Sequence, residues 1–180
     1  MNSGPSGAGK GTLVTRVRER RSNLGLTVSA TTRAPRKGEV DGVNYFFLTR
    51  EEFDRRVANG EFVEWAEVHG NCYGTLVSEV QSKLASGSSL ILEIDVQGAL
   101  QVKERFPEAV LIFIKPPSLE VLRERLVGRG TETPETIELR MANAAHELAL
   151  ADRYDDVVVN DDLDRATDEL VRVLDMHERI

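Results

Sequence analysis

The stretch Gly4-Pro5-Ser6-Gly7-Ala8-Gly9-Lys10-Gly11-Thr12 sets four residues between Gly4 and the Gly9-Lys10 pair. That spacing turns successive backbone N–H groups toward phosphate oxygens while the lysine adds a mobile positive charge, and glycine suits it because the backbone must approach its ligand closely. An ordinary glycine-rich turn ahead of a helix is the alternative. Gly11 follows Lys10 where such loops usually carry a Ser or Thr hydroxyl for magnesium, and Thr12 comes next. Magnesium is therefore expected to be held mainly by water and phosphate. A second cluster, Thr31-Thr32-Arg33-Ala34-Pro35-Arg36-Lys37-Gly38-Glu39 followed by Gly42 and Tyr45, holds two arginines three residues apart. Guanidinium forks match a terminal phosphate bidentately, and a tyrosine hydroxyl can donate to the same oxygens. A solvated basic loop is the competing reading. Together the clusters argue for two phosphorylated ligands.

Elements must position these residues. Leu13, Val14 and Val17 alternate with Arg16, Arg18, Arg20 and Arg21, so the loop should open a helix whose N-terminus favours anions. A loop of this type should also follow a buried strand, yet only Met1, Asn2 and Ser3 precede Gly4; most of that strand is expected to be missing through a truncated or misassigned start. Apolar runs at 90–94, 109–114 and 157–159 read as buried strands. Helical patterns cover 12–21, 76–85, 97–105, 119–127, 134–151 and 163–177, with Thr133 capping and Pro134 in the first helical position. Thr49 and Glu52 form a further capping box. The alternation predicts an α/β fold with a parallel sheet. Between Leu26 and Gly74 short alternating segments, including Tyr45-Phe46-Phe47-Leu48 and Glu61-Phe62-Val63-Glu64-Trp65, read as an inserted substrate subdomain.

The chain has 180 residues, 41% hydrophobic and 29% charged, which fits one globular unit. Its net charge of -7 argues against general nucleic-acid binding while leaving room for a local basic pocket. No apolar run approaches the roughly 20 residues of a membrane helix and no signal-peptide pattern is present, so a cytoplasmic protein is expected. Cys72 is the sole cysteine, which leaves no intramolecular disulfide or cysteine-based zinc site. It reads as a packed or pocket-lining thiol, because no helix start or histidine partner activates it. His69, His146 and His177 have no metal-ligand partner at i+4.

The two clusters, read together with Glu64-Trp65, Asn71-Cys72-Tyr73-Gly74-Thr75, Glu93-Ile94-Asp95-Val96-Gln97-Gly98, Arg125 to Glu132, Arg140 and Val159-Asn160-Asp161-Asp162-Leu163, resemble the guanylate kinase family. These are nucleoside monophosphate kinases that move phosphate from ATP to GMP, and the likeness covers nearly the whole chain. The resemblance implies a P-loop NTPase fold, a parallel sheet flanked by helices, in a single domain. Its core would span 1–28, 79–122 and 151–180, with a GMP-binding subdomain at 29–78 and a helical lid at 123–150. It implies ATP and Mg2+ on the loop residues Gly4 through Thr12, with Asn160 near adenine. Arg33, Arg36, Tyr45 and Tyr73 would hold the GMP phosphate, and Ser29, Glu64, Thr75 and Asp95 would surround guanine. Lys10, Arg125, Arg129 and Arg140 would serve phosphoryl transfer, the arginines from a mobile lid. No side chain is expected to bind the metal directly, although Glu93 is a candidate to orient its waters, with a structural salt bridge as the alternative. Implied partners are small molecules, GMP and dGMP with ATP; no nucleic acid or membrane is expected, and the oligomeric state is not readable.

Physical chemistry supports part of this. Guanine offers adjacent N1–H and N2–H2 donors, which one carboxylate accepts together, so Glu64 is a sensible reader of that base over adenine. Glu93 and Asp95 are expected to close a buried strand on one face at its carboxyl edge. Trp65 is expected in the subdomain core. No general base is needed, because a GMP phosphate is already a nucleophile at neutral pH. Two rivals are a non-catalytic binding module on the same scaffold and a kinase for another phosphorylated acceptor. Lys10 and the lid arginines oppose the first, while Glu64, Ser29 and Thr75 oppose the second.

Overall fold

The computed structural model describes residues 1–178 apart from 69, 86, 88, 129, 131 and 132. In chain order the first elements are β1 (Asn2–Ser3), α1 (Lys10–Arg20), β2 (Leu24–Leu26), β3 (Ala30–Thr31), β4 (Phe46–Phe47), α2 (Arg50–Ala58), β5 (Phe62–Val68) and β6 (Asn71–Leu76). They continue with α3 (Val77–Leu84), β7 (Ser89–Ile91), α4 (Val96–Arg105), β8 (Ile112–Lys115), α5 (Leu119–Gly128), α6 (Pro134–Leu148), β9 (Asp156–Val159) and α7 (Leu163–Glu178). Two compact units result, one from 1–22 with 108–180 and one from 23–107.

The first unit is built on a three-stranded parallel sheet in the order β1-β8-β9, with Asn2 opposite Ile112 and Phe113 opposite Val157. β8 is apolar at successive positions because both faces of a parallel sheet are covered. β1 is short but present: Asn2 and Ser3 are fully buried, and their side-chain polar atoms have no hydrogen-bond partner among the described residues. Leu13, Val14 and Val17 are the buried face of α1, which packs against α7 and is tied to it by an Arg21–Asp175 ion pair of 3.1 Å. Helices α5 and α6 pack through Leu122, Leu126, Ile137 and Ala144. Thr133 caps α6 by accepting from the Thr136 N–H at 3.3 Å, with Pro134 in the first turn as expected. The helix ends at Leu148, short of the expected 151. A 3-10 turn at Ala151–Arg153 follows and delivers Tyr154 edge-on to Phe113, with ring centroids 4.9 Å apart.

The second unit contains a four-stranded mixed sheet, β4-β3-β6-β5, and a parallel pair, β2-β7. Ala30, Phe53, Phe62, Cys72 and Leu76 form its core, with Phe53 stacked on Phe62 at 4.4 Å. Cys72 is the packed thiol the sequence implied. Thr49 caps α2 through the Glu52 N–H at 3.1 Å. The Glu52 carboxylate turns instead to Arg56, so only half of the capping box forms.

An irregularity in β5 decides what faces what. The register against β6 shifts between Phe62, opposite Leu76, and Glu64, opposite Thr75. The extra residue breaks the period-two alternation of the strand. Phe62 and Trp65 therefore both reach Phe53, whereas Glu64 turns toward α4. Trp65 is 39% exposed and touches the core only by an edge, contrary to the expectation of a core residue. Strand β7 also ends earlier than expected. It stops at Ile91, so Glu93 and Asp95 lie beyond the ladder, and Asp95 opens α4 as its N-cap.

Candidate active site

Gly9 occupies the N-cap of α1 with φ +87°, a left-handed conformation that side-chain-bearing residues rarely adopt. A Cβ there would also collide with the Asn160 carboxamide. The loop wraps tightly, the Ala8 N–H donating to the Pro5 carbonyl at 3.1 Å. Asn160, at the end of β9, donates from Nδ2 to the Ala8 carbonyl at 2.8 Å, and its backbone carbonyl accepts from Arg125 Nη2 at 2.8 Å. Lys10 folds its ammonium onto the Gly4 and Pro5 carbonyls at 2.6 and 3.1 Å. Arg140 donates to the Ser6 hydroxyl.

Beside the loop lies an open cleft of about 470 Å³ lined by Gly7, Gly9, Thr12, Arg125, Asn160 and Asp161 among others. Arg125 Nη1 is buried beside it with no partner among the described residues. A buried guanidinium nitrogen without an acceptor favours an anionic ligand. The N-terminus of α1 faces the same requirement. The site thus fits a nucleotide's phosphates. Asp161 is held below the usual carboxylate range by the Asp162 N–H and by Arg165. Among the described residues no group of three or more His, Cys, Asp or Glu side chains could hold a metal ion. Thr12 lines the cleft, and its hydroxyl together with ATP phosphates would make an oxygen set of the kind magnesium takes.

The second unit carries the other predicted residues. Glu64 is 3% exposed and accepts from the Thr75 hydroxyl at 2.6 Å. Burial, offset in part by Thr75 and reinforced by the nearby Asp95 charge, pushes its carboxyl from an ordinary 4.5 up to about 7. Asp95 accepts from the Gly98 N–H at 3.0 Å. Ser29 immediately precedes β3, its carbonyl accepting from the Phe46 N–H at 2.9 Å.

The arginine cluster forms a separate subsite. Arg33 lies over the Tyr45 ring at 5.4 Å and the Phe47 ring at 5.8 Å. Tyr45 and Tyr73 meet edge-on at 6.2 Å. Glu39 binds both arginine positions, accepting from Arg33 Nη2 at 2.9 Å and from the Arg36 backbone N–H at 2.6 Å. That pairing holds Glu39 below the usual carboxylate range and raises Arg33. The Arg36 side chain is exposed. Burial, then the nearby Tyr73, raises the Tyr45 hydroxyl, and the Glu93 charge adds to the shift.

The structure brings Lys10, Arg125, Arg140 and Asn160 to the phosphate loop, and the buried Glu64 and Thr75 together with the half-buried Asp95. Arg129 lies outside the described residues. Sequence reasoning assigned no role to Glu39 or Gly98. Glu39 had a visible signal, an acid beside two arginines. A signal for Gly98 was its place in the first turn of a helix, where glycine is unfavourable unless space demands it.

A phosphate loop passing from a buried parallel strand into a helix, within an α/β fold, defines the P-loop class of nucleotide-binding proteins. The family model described as Guanylate kinase matches residues 2–177. The chain is 54% identical over 172 residues to a guanylate kinase of Halalkalibacterium halodurans, and 57% identical over 172 residues to one of Gloeobacter violaceus. Each match covers 96% of this chain and 84% of the relative. A crystal structure of guanylate kinase from Anaplasma phagocytophilum is similar with a TM-score of 0.79 and 39% identity, over 97% of this chain and 82% of that one. The chain belongs to the guanylate kinase family.

Proposed function

We propose that this protein transfers the γ-phosphate of ATP to GMP, giving ADP and GDP. The observation that carries the acceptor's identity is Glu64, a buried carboxylate in the second unit, held on one oxygen by Thr75. Guanine's N1–H and N2–H2 donors would satisfy it and restore its charged form, whereas adenine would leave it facing an acceptor. Ser29 and Asp95 complete the base site. Arg33, Arg36, Tyr45 and Tyr73 bind the acceptor phosphate, and dGMP, which presents the same base edge and phosphate, is included as an acceptor.

The loop from Gly4 to Thr12 cradles the ATP phosphates through its backbone N–H groups, and Asn160 braces that loop. Lys10 leaves the loop carbonyls for the transferring phosphate. Arg125, Arg129 and Arg140 neutralise the charge that develops there, carried on a lid spanning 123–150. Magnesium, bound through ATP phosphates and water with Thr12 as the available hydroxyl, supplies charge neutralisation. Lid closure excludes water and so suppresses ATP hydrolysis. A cytoplasmic setting accords with this substrate pair; among the described residues no helix is long and apolar enough to cross a membrane.

The test is ADP formation by the 180-residue chain with ATP, magnesium and each of GMP, dGMP, AMP and UMP. GMP-dependent turnover at least about a hundredfold above AMP and UMP is expected from loss of buried hydrogen bonds to the wrong base. Turnover with AMP or UMP and none with GMP would defeat the proposal.

A further inference from the structure

Gly98 is an unexpected residue where it stands. It lies in the first turn of α4, is buried, and has no left-handed φ to explain the choice. Glycine is disfavoured relative to alanine in such a position. The reason is on the facing strand: a Cβ built on Gly98 would overlap Glu64 Oε2 and stand 3.0 Å from Glu64 Cδ. Glu64 Oε1 is meanwhile fixed by the Thr75 hydroxyl at 2.6 Å. One carboxylate oxygen is therefore tied to β6 and the other occupies the notch that the missing side chain leaves on α4. The same Gly98 donates its N–H to Asp95 at 3.0 Å, so one residue sets both acids of the base site. Helix α4 is itself pinned to β5: Gln101 bonds both the Trp65 N–H and carbonyl, at 3.3 and 3.0 Å, and Arg105 donates to the Phe62 and Val63 carbonyls at 2.9 and 3.0 Å. The notch cannot widen by sliding the helix without breaking those bonds.

We infer that Gly98 is a specificity-determining positioning residue for the GMP reaction: the absent side chain leaves a slot that fixes the direction of the Glu64 carboxylate, and with it the choice of guanine. The inference rests on the GMP-kinase reading of the same site. A methyl group in the slot rotates or expels the carboxylate, and the guanine donors lose their paired acceptor. Gly98 does not line the cleft at the phosphate loop, so the effect is expected at the acceptor.

The experiment compares wild type, Gly98→Ala, Glu64→Asp and the double variant by steady-state kinetics, with melting temperatures measured free and with GMP. Gly98→Ala is expected to raise the GMP KM at least about tenfold, one lost or misaligned hydrogen bond to a charged group. Its ATP KM should stay within about twofold, and its GMP-induced rise in melting temperature should be much smaller. Glu64→Asp shortens the acid by one methylene and draws it back from the added methyl. The double variant should therefore lose less than the product of the single losses, the signature of direct coupling. Unchanged GMP KM in Gly98→Ala, or strictly multiplicative losses, would overturn the inference. If Gly98→Ala melts early, Gly98→Ala/Glu64→Ala decides: recovered melting temperature relative to Gly98→Ala supports the slot, and no recovery means the glycine serves backbone packing alone. Failure of the underlying reading is seen separately, as a wild type that neither turns over GMP nor is stabilised by it.

Discussion

The phosphate loop and the base cluster both handle charge, but they are made of different materials. Around Lys10 the ligand-facing groups are largely backbone: N–H groups at the start of α1, with a side chain, Asn160, used to hold a carbonyl in place. Around Glu64 the working groups are side chains, and the backbone of Gly98 serves to make room and to hold Asp95. A backbone site asks little of the ionisation of its donors and tolerates any nucleotide's phosphates. A buried carboxylate reads one base edge and titrates near the pH of the cell. On the proposed reading, generality is carried by main chain and selectivity by a desolvated acid.

The largest test of that contrast is Lys10→Ala. With saturating ATP and GMP it is expected to lower turnover by about three orders of magnitude, the scale seen when a charge-stabilising donor is removed. Its GMP-induced thermal shift should stay close to wild type. Comparable loss of GMP binding would show that the two halves are not separable in this way.

Glu64→Ala should do the reverse. A GMP KM raised by about a hundredfold, from two lost charge-assisted hydrogen bonds, is expected with ATP binding within about twofold of wild type. Equal weakening for both nucleotides, read by titration calorimetry, would contradict a base-reading role.

The smallest effect is in pH. Because burial raises the Glu64 carboxyl from 4.5 to about 7, the stability it lends the ligand-free fold is fully present below 4.5 and is lost as pH rises through 7. GMP binding needs the charged form, so its affinity moves the opposite way, falling roughly tenfold per unit below 7. Phosphate ionisation of GMP titrates in an overlapping range, and Glu64→Gln isolates it. That variant should keep only the ligand's own pH dependence, and should raise the free protein's melting temperature more at about pH 8 than at about pH 5. Identical pH profiles for the wild type and the Glu64→Gln variant would remove the titration argument.

The legibility of the two halves in the sequence follows the same division. A backbone cradle needs glycines and a lysine at fixed spacing along one short segment, so Gly4 to Thr12 announces itself, and α1 begins within it. The elements 119–127 and 163–177 were readable because their apolar spacing is helical, and the structure places α5 and α7 there. Glu64 was singled out as a candidate base reader through the family resemblance and the donor pattern of guanine, but the strand geometry that buries it was not readable. The register shift after Phe62 that turns it inward is set by pairing with β6, a relation that period-two alternation in β5 does not contain. Trp65 was misplaced for the same reason. Glu93 and Asp95 looked like a strand end because the run 90–94 is apolar except for Glu93, but Asp95 supplies a helix cap, and ladder pairing stops at Ile91. Gly98 needed the facing strand to explain it.

Asn160 also bears on when the phosphate site comes into being during synthesis. Its carboxamide closes the Ala8 carbonyl, and its position is set by β9, which pairs with β8, which in turn pairs with β1. The segment that bears the motif is thus made before its brace, since the bond to Ala8 comes from a residue 152 positions downstream. Contacts so distant in sequence form late. A chain that stops short of Asn160 carries every loop glycine and the lysine but lacks the bond that braces them, so on the proposed reading the grip on ATP is incomplete until that residue has been made.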